Sequence, residues 1–236
     1  AITDDGQYHA WTEINVPQRP FEIENVDTVT VPLAQSGYTT EYLRYRITIN
    51  DRPNETNYYR IVIDKQTTLW GYNHEEGGDD YIYWTKHSYN FIGREDVVLT
   101  DGQPTTGDDE DNGLFDTAKN IYGVFDDTRF RNTSYTMTVY NNTKIETGSD
   151  SGYFSGMDVI IRLMSITETE YYYLKALNLV DSDAYDETIN EPIKYPSNVH
   201  GGTGMVGIIT EVTQTIHIIS CSHSKGNLAP PVHVYQ

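Results

Sequence analysis

Gly202-Thr-Gly-Met-Val-Gly207 satisfies the G-x-G-x-x-G pattern that cradles a dinucleotide pyrophosphate. That chemistry needs a strand before the glycines and a helix after them, because the helix N-terminus carries the phosphates. Here a Pro-interrupted loop precedes the pattern and a β-branched run follows it. A kinase-type glycine loop does lie between strands, but too little chain remains beyond Gly207 for the lysine, catalytic loop and metal-binding Asp. The glycines therefore read as a backbone turn running from Asn198 to Gly207. In it Gly201, Gly202 and Gly204 permit positive φ or close packing.

Other catalytic patterns fail on spacing. Gly152-Tyr-Phe-Ser-Gly156 misses the nucleophile elbow by its offset, and His74-Glu75-Glu76 lacks the second His of H-E-x-x-H. His217, Cys221 and His223 are soft metal ligands close in sequence, and read as a chance cluster near the tail. Paired carboxylates for glycoside hydrolysis are defined by their separation in space, so sequence gives that idea no support. The expectation is a protein that is not an enzyme. A secreted glycan-active enzyme and a structural adhesin module are the rivals.

Two stretches carry ligand chemistry instead. Trp70, Tyr72, Tyr81 and Trp84 cluster within fifteen residues, beside the carboxylates of 75–80. Aromatic faces with carboxylates suit a glycan platform, although strand residues packing on a core explain them more simply. Asp108, Asp109, Asp111 and Asp116 lie in a long acidic loop and offer hard oxygen ligands for calcium. Their spacing does not match a calcium-binding loop of the D-x-[DN]-x-[DN]-G type, so a solvated acidic loop is the favoured reading and no cofactor is expected.

Charge narrows the partners. Lys and Arg number 16 against 35 Asp and Glu, for a net −19. Such a surface repels phosphate backbones, which argues against nucleic acid and against a peripheral site on anionic lipid. Cys221 is the single cysteine, so an intrachain disulfide is excluded and a Cys-based zinc site lacks ligands. No apolar run is long enough to cross a bilayer. Tyrosine is unusually common, with 20 copies against 6 Phe. It favours strands and keeps one polar end wet.

The elements that must position these groups are mostly strands. Leu43, Tyr45, Ile47 and Ile49 alternate with Arg44, Arg46 and Thr48. Asp51 to Thr56 is turn chemistry, and Asn57 to Asp64 returns with Tyr59, Ile61 and Ile63 on one face. Residues 70–80 read as a loop and 81–85 as a strand. Further strand signals lie in 120–126 and in 135–140, where Tyr135, Met137 and Val139 alternate with Thr136 and Thr138. Met157 to Ile166 is an apolar strand, and 208–219 a last strand or bent pair. One helix is predicted near 168–181. Thr167 and Glu170 form a capping box, with Tyr171, Leu174 and Leu177 at helical spacing. The fold class is mostly β: an antiparallel β-sandwich with one inserted helix.

Residues 1–36 read as a connector with the last strand of an absent upstream domain, or equally as an edge strand of the same sandwich. Residues 37–220 form the sandwich and 221–236 a loose tail. The chain opens without an initiator Met and is read as processed or cut from a longer precursor. Asn54, Asn132 and Asn141 each begin an N-x-[ST] sequon, which matters only in a eukaryotic source.

Several pieces, taken in order, resemble a known family. They are Asn57-Tyr-Tyr-Arg60, Val98-Leu-Thr-Asp-Gly102, Phe125-Asp-Asp-Thr-Arg-Phe130, Ser165 to Leu177, and Glu191-Pro192 with Ser197-Asn-Val-x-Gly-Gly-x-Gly204. Together they span roughly residues 8–212, and the last two are the specific ones. The family is a domain-of-unknown-function family of bacterial lipoproteins from gut and oral anaerobes and their relatives, encoded beside SusC-like TonB-dependent outer-membrane receptors. The resemblance implies a second, C-terminal β domain that follows an Ig-like domain and a lipid anchor absent from this chain. It also implies an outer-membrane, cell-surface location. Val206 departs from the family, which places an aromatic there. No catalytic residue carries over. The function expected is a non-enzymatic accessory or binding domain that docks on, or delivers a glycan or other nutrient to, such a receptor. Residues 70–80 and 101–116 are the expected contact loops.

Overall fold

A computed structural model describes residues 6–35, 38–73, 80–89, 91, 93, 96–102, 120–142, 153–181, 192–219 and 233–235. Two antiparallel sheets face each other. The first has three strands in the order β1-β2-β6, formed by Asn25–Gln35, Tyr38–Asn50 and Ser134–Asn142. The second runs β4-β3-β7-β8-β9, formed by Asp80–Ser88, Tyr58–Asn73, Tyr153–Ile166, Thr210–Ile219 and His233–Tyr235. A short β5, Val124–Asp126, also pairs with β3.

Alternation sets the core. Tyr45, Ile47 and Ile49 of β2 and Met137 and Val139 of β6 are buried against Ile61, Ile63, Val159, Ile161 and Leu163 of the facing sheet. Because side chains alternate between faces, a one-residue slip would drive every one of these apolar groups into water. Among the described residues the single helix, α1 (Glu168–Val180), packs on the outer face of the second sheet, so that end of the molecule has three layers. Tyr171 and Leu174 are buried there against Val124, Met164 and Ile166, with Leu177 partly buried beside them.

The helix begins as the sequence predicts, with a difference in its cap. The Thr167 hydroxyl accepts from the Glu170 amide at 3.2 Å. The Glu170 carboxylate does not reach back. It lies under Gly207, where a Cβ would stand 2.7 Å from Oε2. Burial raises the Glu170 pKa, with the Arg60 charge partly opposing that rise.

Four boundaries differ from the sequence reading. Asn25–Gln35 pairs with β2 along its whole length, so the last part of the expected 1–36 connector is a strand of this sheet. Ile23, just before it, is buried in the shared core. Residues 8–16, which alternate like the strand that the 1–36 reading supposed, form no strand in the structure and make an isolated bridge of Trp11 with His200. β3 continues past Asp64 to Asn73 and β4 begins at Asp80, so the expected 70–80 loop is shorter. In the tail expected to be loose, His233–Tyr235 pairs with β8.

Candidate functional site

Two of the pieces that carry the family resemblance, 57–60 and 125–130, meet in one structural hub. Asp51 closes the turn after β2 and Asp127 the turn after β5. Asn57 lies between them, its side-chain amide donating to Asp51 Oδ1 at 3.2 Å and to Asp127 Oδ2 at 3.1 Å. The Asn57 backbone amide adds a bond to Asp127 at 2.8 Å, and Arg131 donates to its other oxygen at 3.1 Å. Asp51 also accepts from the Tyr59 hydroxyl at 3.0 Å and from the Asn132 amide at 2.8 Å. Burial raises the Asp51 pKa, the Asn132 amide and Tyr59 hydroxyl lower it, and the Asp127 charge raises it again. These two acids are buried and committed to holding turns, which is unlike a hydrolytic pair standing open to substrate.

The remaining pieces tie the helix to this hub. Arg129 donates to the Asp101 carbonyl at 2.7 Å, and the Asp101 carboxylate pairs with Lys175 of α1. Tyr58 donates to Glu168 at 2.9 Å, Tyr171 to Asp126 at 3.2 Å and Tyr122 to Asp181 at 2.6 Å. Tyr135 likewise donates to the buried Asp96 at 3.0 Å. Five of the tyrosines thus have a carboxylate as their hydroxyl's partner. Asn54 and Asn132, the first two sequon residues, take positive φ of 68° and 61°, and the Asn132 side chain accepts from the Asn54 amide. Asn tolerates that left-handed backbone, which is a structural reason for both.

The glycine turn is a closed loop. The Asn198 side chain pairs with the Val206 backbone twice, donating at 2.8 Å and accepting at 3.0 Å. Its carbonyl accepts from Thr12 at 2.6 Å. Gly201 has φ +74°, and a Cβ there would collide with the His9 carbonyl oxygen. The turn thus seats residues 8–12 on one side and, through Gly207, the Glu170 carboxylate on the other. Gly204 needs its positive φ of +136°, whereas a Cβ on Gly202 would meet only ordinary contacts. Val206 is 45% exposed, so the departure from an aromatic displaces nothing inside.

What the hub leaves open is the outer face of the second sheet beyond α1. Register places Trp70 opposite Tyr83 and Tyr72 opposite Tyr81, all at positions of one parity. Trp84 stands opposite the buried Leu69, at the other parity. The four aromatics of the expected platform therefore do not share a face, and Tyr83, at 65% exposure, takes the place of Trp84. Down the same face Asp64 meets His87, whose Nδ1 lies 3.0 and 3.1 Å from its two oxygens, and Gln66 donates to Asp64 at 2.8 Å. Two strands away His217 Nδ1 lies 2.8 Å from Asp158. Sequence reasoning missed these residues because Asp64 and His87 meet only through the β3–β4 register.

Asp108, Asp109, Asp111 and Asp116 lie outside the described residues, as do Cys221, His223 and residues 143–152. Among the described residues no three His, Cys, Asp or Glu side chains converge as a metal would need. No described helix is long and apolar enough to cross a membrane.

No curated protein matches this chain. Residues 1–215 match a family described as a domain of unknown function, DUF4249. Since that match covers most of the sequence, the chain belongs to the DUF4249 family.

Proposed function

We propose that this is a non-enzymatic recognition domain of an outer-membrane lipoprotein, displayed at the cell surface and working with a SusC-like TonB-dependent receptor in nutrient uptake. One observation carries the reading. Residues behind the family resemblance hold the hub, the helix and the glycine turn, while the sheet face beyond the helix carries exposed hydrogen-bonding and aromatic groups such as Tyr83, His87 and His217. A rigid scaffold that presents an open, polar and Tyr-bearing surface is the usual form of a binding module. The net charge of −19 supports a partner that is neither nucleic acid nor an anionic bilayer.

The test uses the full-length lipidated protein extracted in mild detergent. It should copurify with the receptor encoded beside it. Recovery in the soluble cytoplasm, or purification without any outer-membrane receptor, contradicts the reading.

A further inference from the structure

The open face carries one continuous row. His87 stands opposite Gln66, Gln66 opposite Asp158, and Asp158 opposite His217. Four strands contribute one residue each. With strands about 4.8 Å apart, the row spans ~14 Å. Toward the hairpin tip the same parity continues through Thr68 and Thr85 to Trp70 and Tyr83. The row is thus polar across the sheet, and the aromatic positions lie four residues, about 13 Å, along β3 and β4 from it.

Its chemistry is specific. Asp64 is 3% exposed beneath an imidazole that is 44% exposed. The buried carboxylate therefore fixes the His87 ring. With Nδ1–H donating to Asp64, Nε2 is the acceptor of that tautomer. His217 and Asp158 repeat the arrangement nearer solvent, at 66% and 47% exposure. Gln66 adds an amide that both donates and accepts. The row offers mainly acceptors, the two imidazole Nε2 atoms and the Asp158 carboxylate, with the Gln66 amide as its donor, and its four members include no Lys or Arg. The two carboxylates and the net −19 repel phosphate, sulfate and uronate groups. The exposed Tyr83 ring, on the same face of β4, offers flat apolar area beside a wet edge.

We infer that this face binds a neutral oligosaccharide, its hydroxyls on the row of His87, Gln66, Asp158 and His217 across β4, β3, β7 and β8, and a further sugar ring on Tyr83, about 13 Å along β4 from His87. The inference rests on the reading of this domain as a recognition module, and it names the ligand class. A cationic peptide is the competing occupant, because two carboxylates lie in or under the row. Each is already paired with an imidazole, which leaves less charge to offer an ammonium.

The experiment is calorimetric titration of the purified chain with cello-, malto-, xylo-, manno- and laminari-hexaose, and with pentalysine. At least one neutral hexaose should bind. His87→Ala and Tyr83→Ala should each weaken that binding about tenfold or more, with the melting temperature held near the parent value. Thr136→Ala, on the outer face of the other sheet, should leave it unchanged. Failure of every neutral hexaose at ~10 mM, weaker than the millimolar floor of useful affinity, overturns the inference, as does binding by pentalysine alone or binding indifferent to both variants. Receptor copurification that persists alongside such a failure sinks the ligand class and spares the recognition reading. Cleavage of a bound hexaose, read by product chromatography, sinks the non-enzymatic reading and spares the site.

Discussion

Raising the pH above about 10, the ordinary tyrosine range, should unfold this domain abruptly. Burial pushes the phenols of Tyr45, Tyr59 and Tyr171 well above their ordinary value of 10.0, and the neighbouring Asp51 and Asp126 push the latter two further. In the unfolded chain all three ionise near 10, the ordinary value. The folded state therefore holds protons that the unfolded state releases, and stability falls as pH rises. The contribution is fully present below the unfolded pKa and is lost above it. Three such groups give a slope of about 4 kcal/mol per pH unit. Against a typical stability of about 5–15 kcal/mol, that removes the fold within roughly one to four pH units. Far-UV circular dichroism against pH should show a cooperative loss of strand signal that begins above about pH 10 and is complete roughly one to four units higher, steeper than one proton per molecule. A transition no steeper than one proton per molecule, or none at all, would mean the phenols are solvated in the native state.

Asp127→Ala should cost about 1.5–3 kcal/mol, because it removes a buried acceptor of charge-assisted hydrogen bonds. Asp127 is completely buried, and it receives the Asn57 amide, the Asn57 side chain and Arg131. Removing it strands the Asn57 backbone amide, while the Asn57 side chain keeps Asp51 and Arg131 keeps Thr56. Arg131→Ala is the contrast. Arg131 is 44% exposed, so its loss is discounted by solvent to about 1 kcal/mol or less. Urea unfolding near neutral pH should shift the Asp127→Ala midpoint strongly at constant slope. A cost below about 1 kcal/mol would place the holding force of this hub elsewhere.

The inward faces of β2, β3 and β6 were legible because Tyr45 and Ile47, Ile61 and Ile63, or Met137 and Val139 alternate with their outward neighbours. The helix was legible from Thr167 and the spacing of Tyr171, Leu174 and Leu177. β1 was not, because its positions include Asp27 and it follows a Pro-broken stretch, so its acidity outweighed its period. The far half of β3 was hidden for a related reason. Asp64-Lys-Gln-Thr67 is polar on both faces, and Lys65 and Thr67 are nonetheless buried. The open row lay beyond reach altogether, since Asp64 and His87, or Asp158 and His217, are brought together only by pairing register, which no local pattern encodes. The glycine turn was legible as backbone geometry, but what it clasps, residues 8–12 and Glu170, is a tertiary fact.

The proposed function requires this domain to stand close to a receptor, with the exposed outer face of its larger sheet within reach of it. Site-specific photocrosslinking in intact cells tests that most directly. A photoreactive phenylalanine at position 83, where Tyr83 is exposed, should yield a covalent adduct with an outer-membrane TonB-dependent receptor. The same probe at position 136, on the outer face of the smaller sheet, should yield far less. Adducts only with cytoplasmic proteins, or equal yields from both positions, would contradict the account.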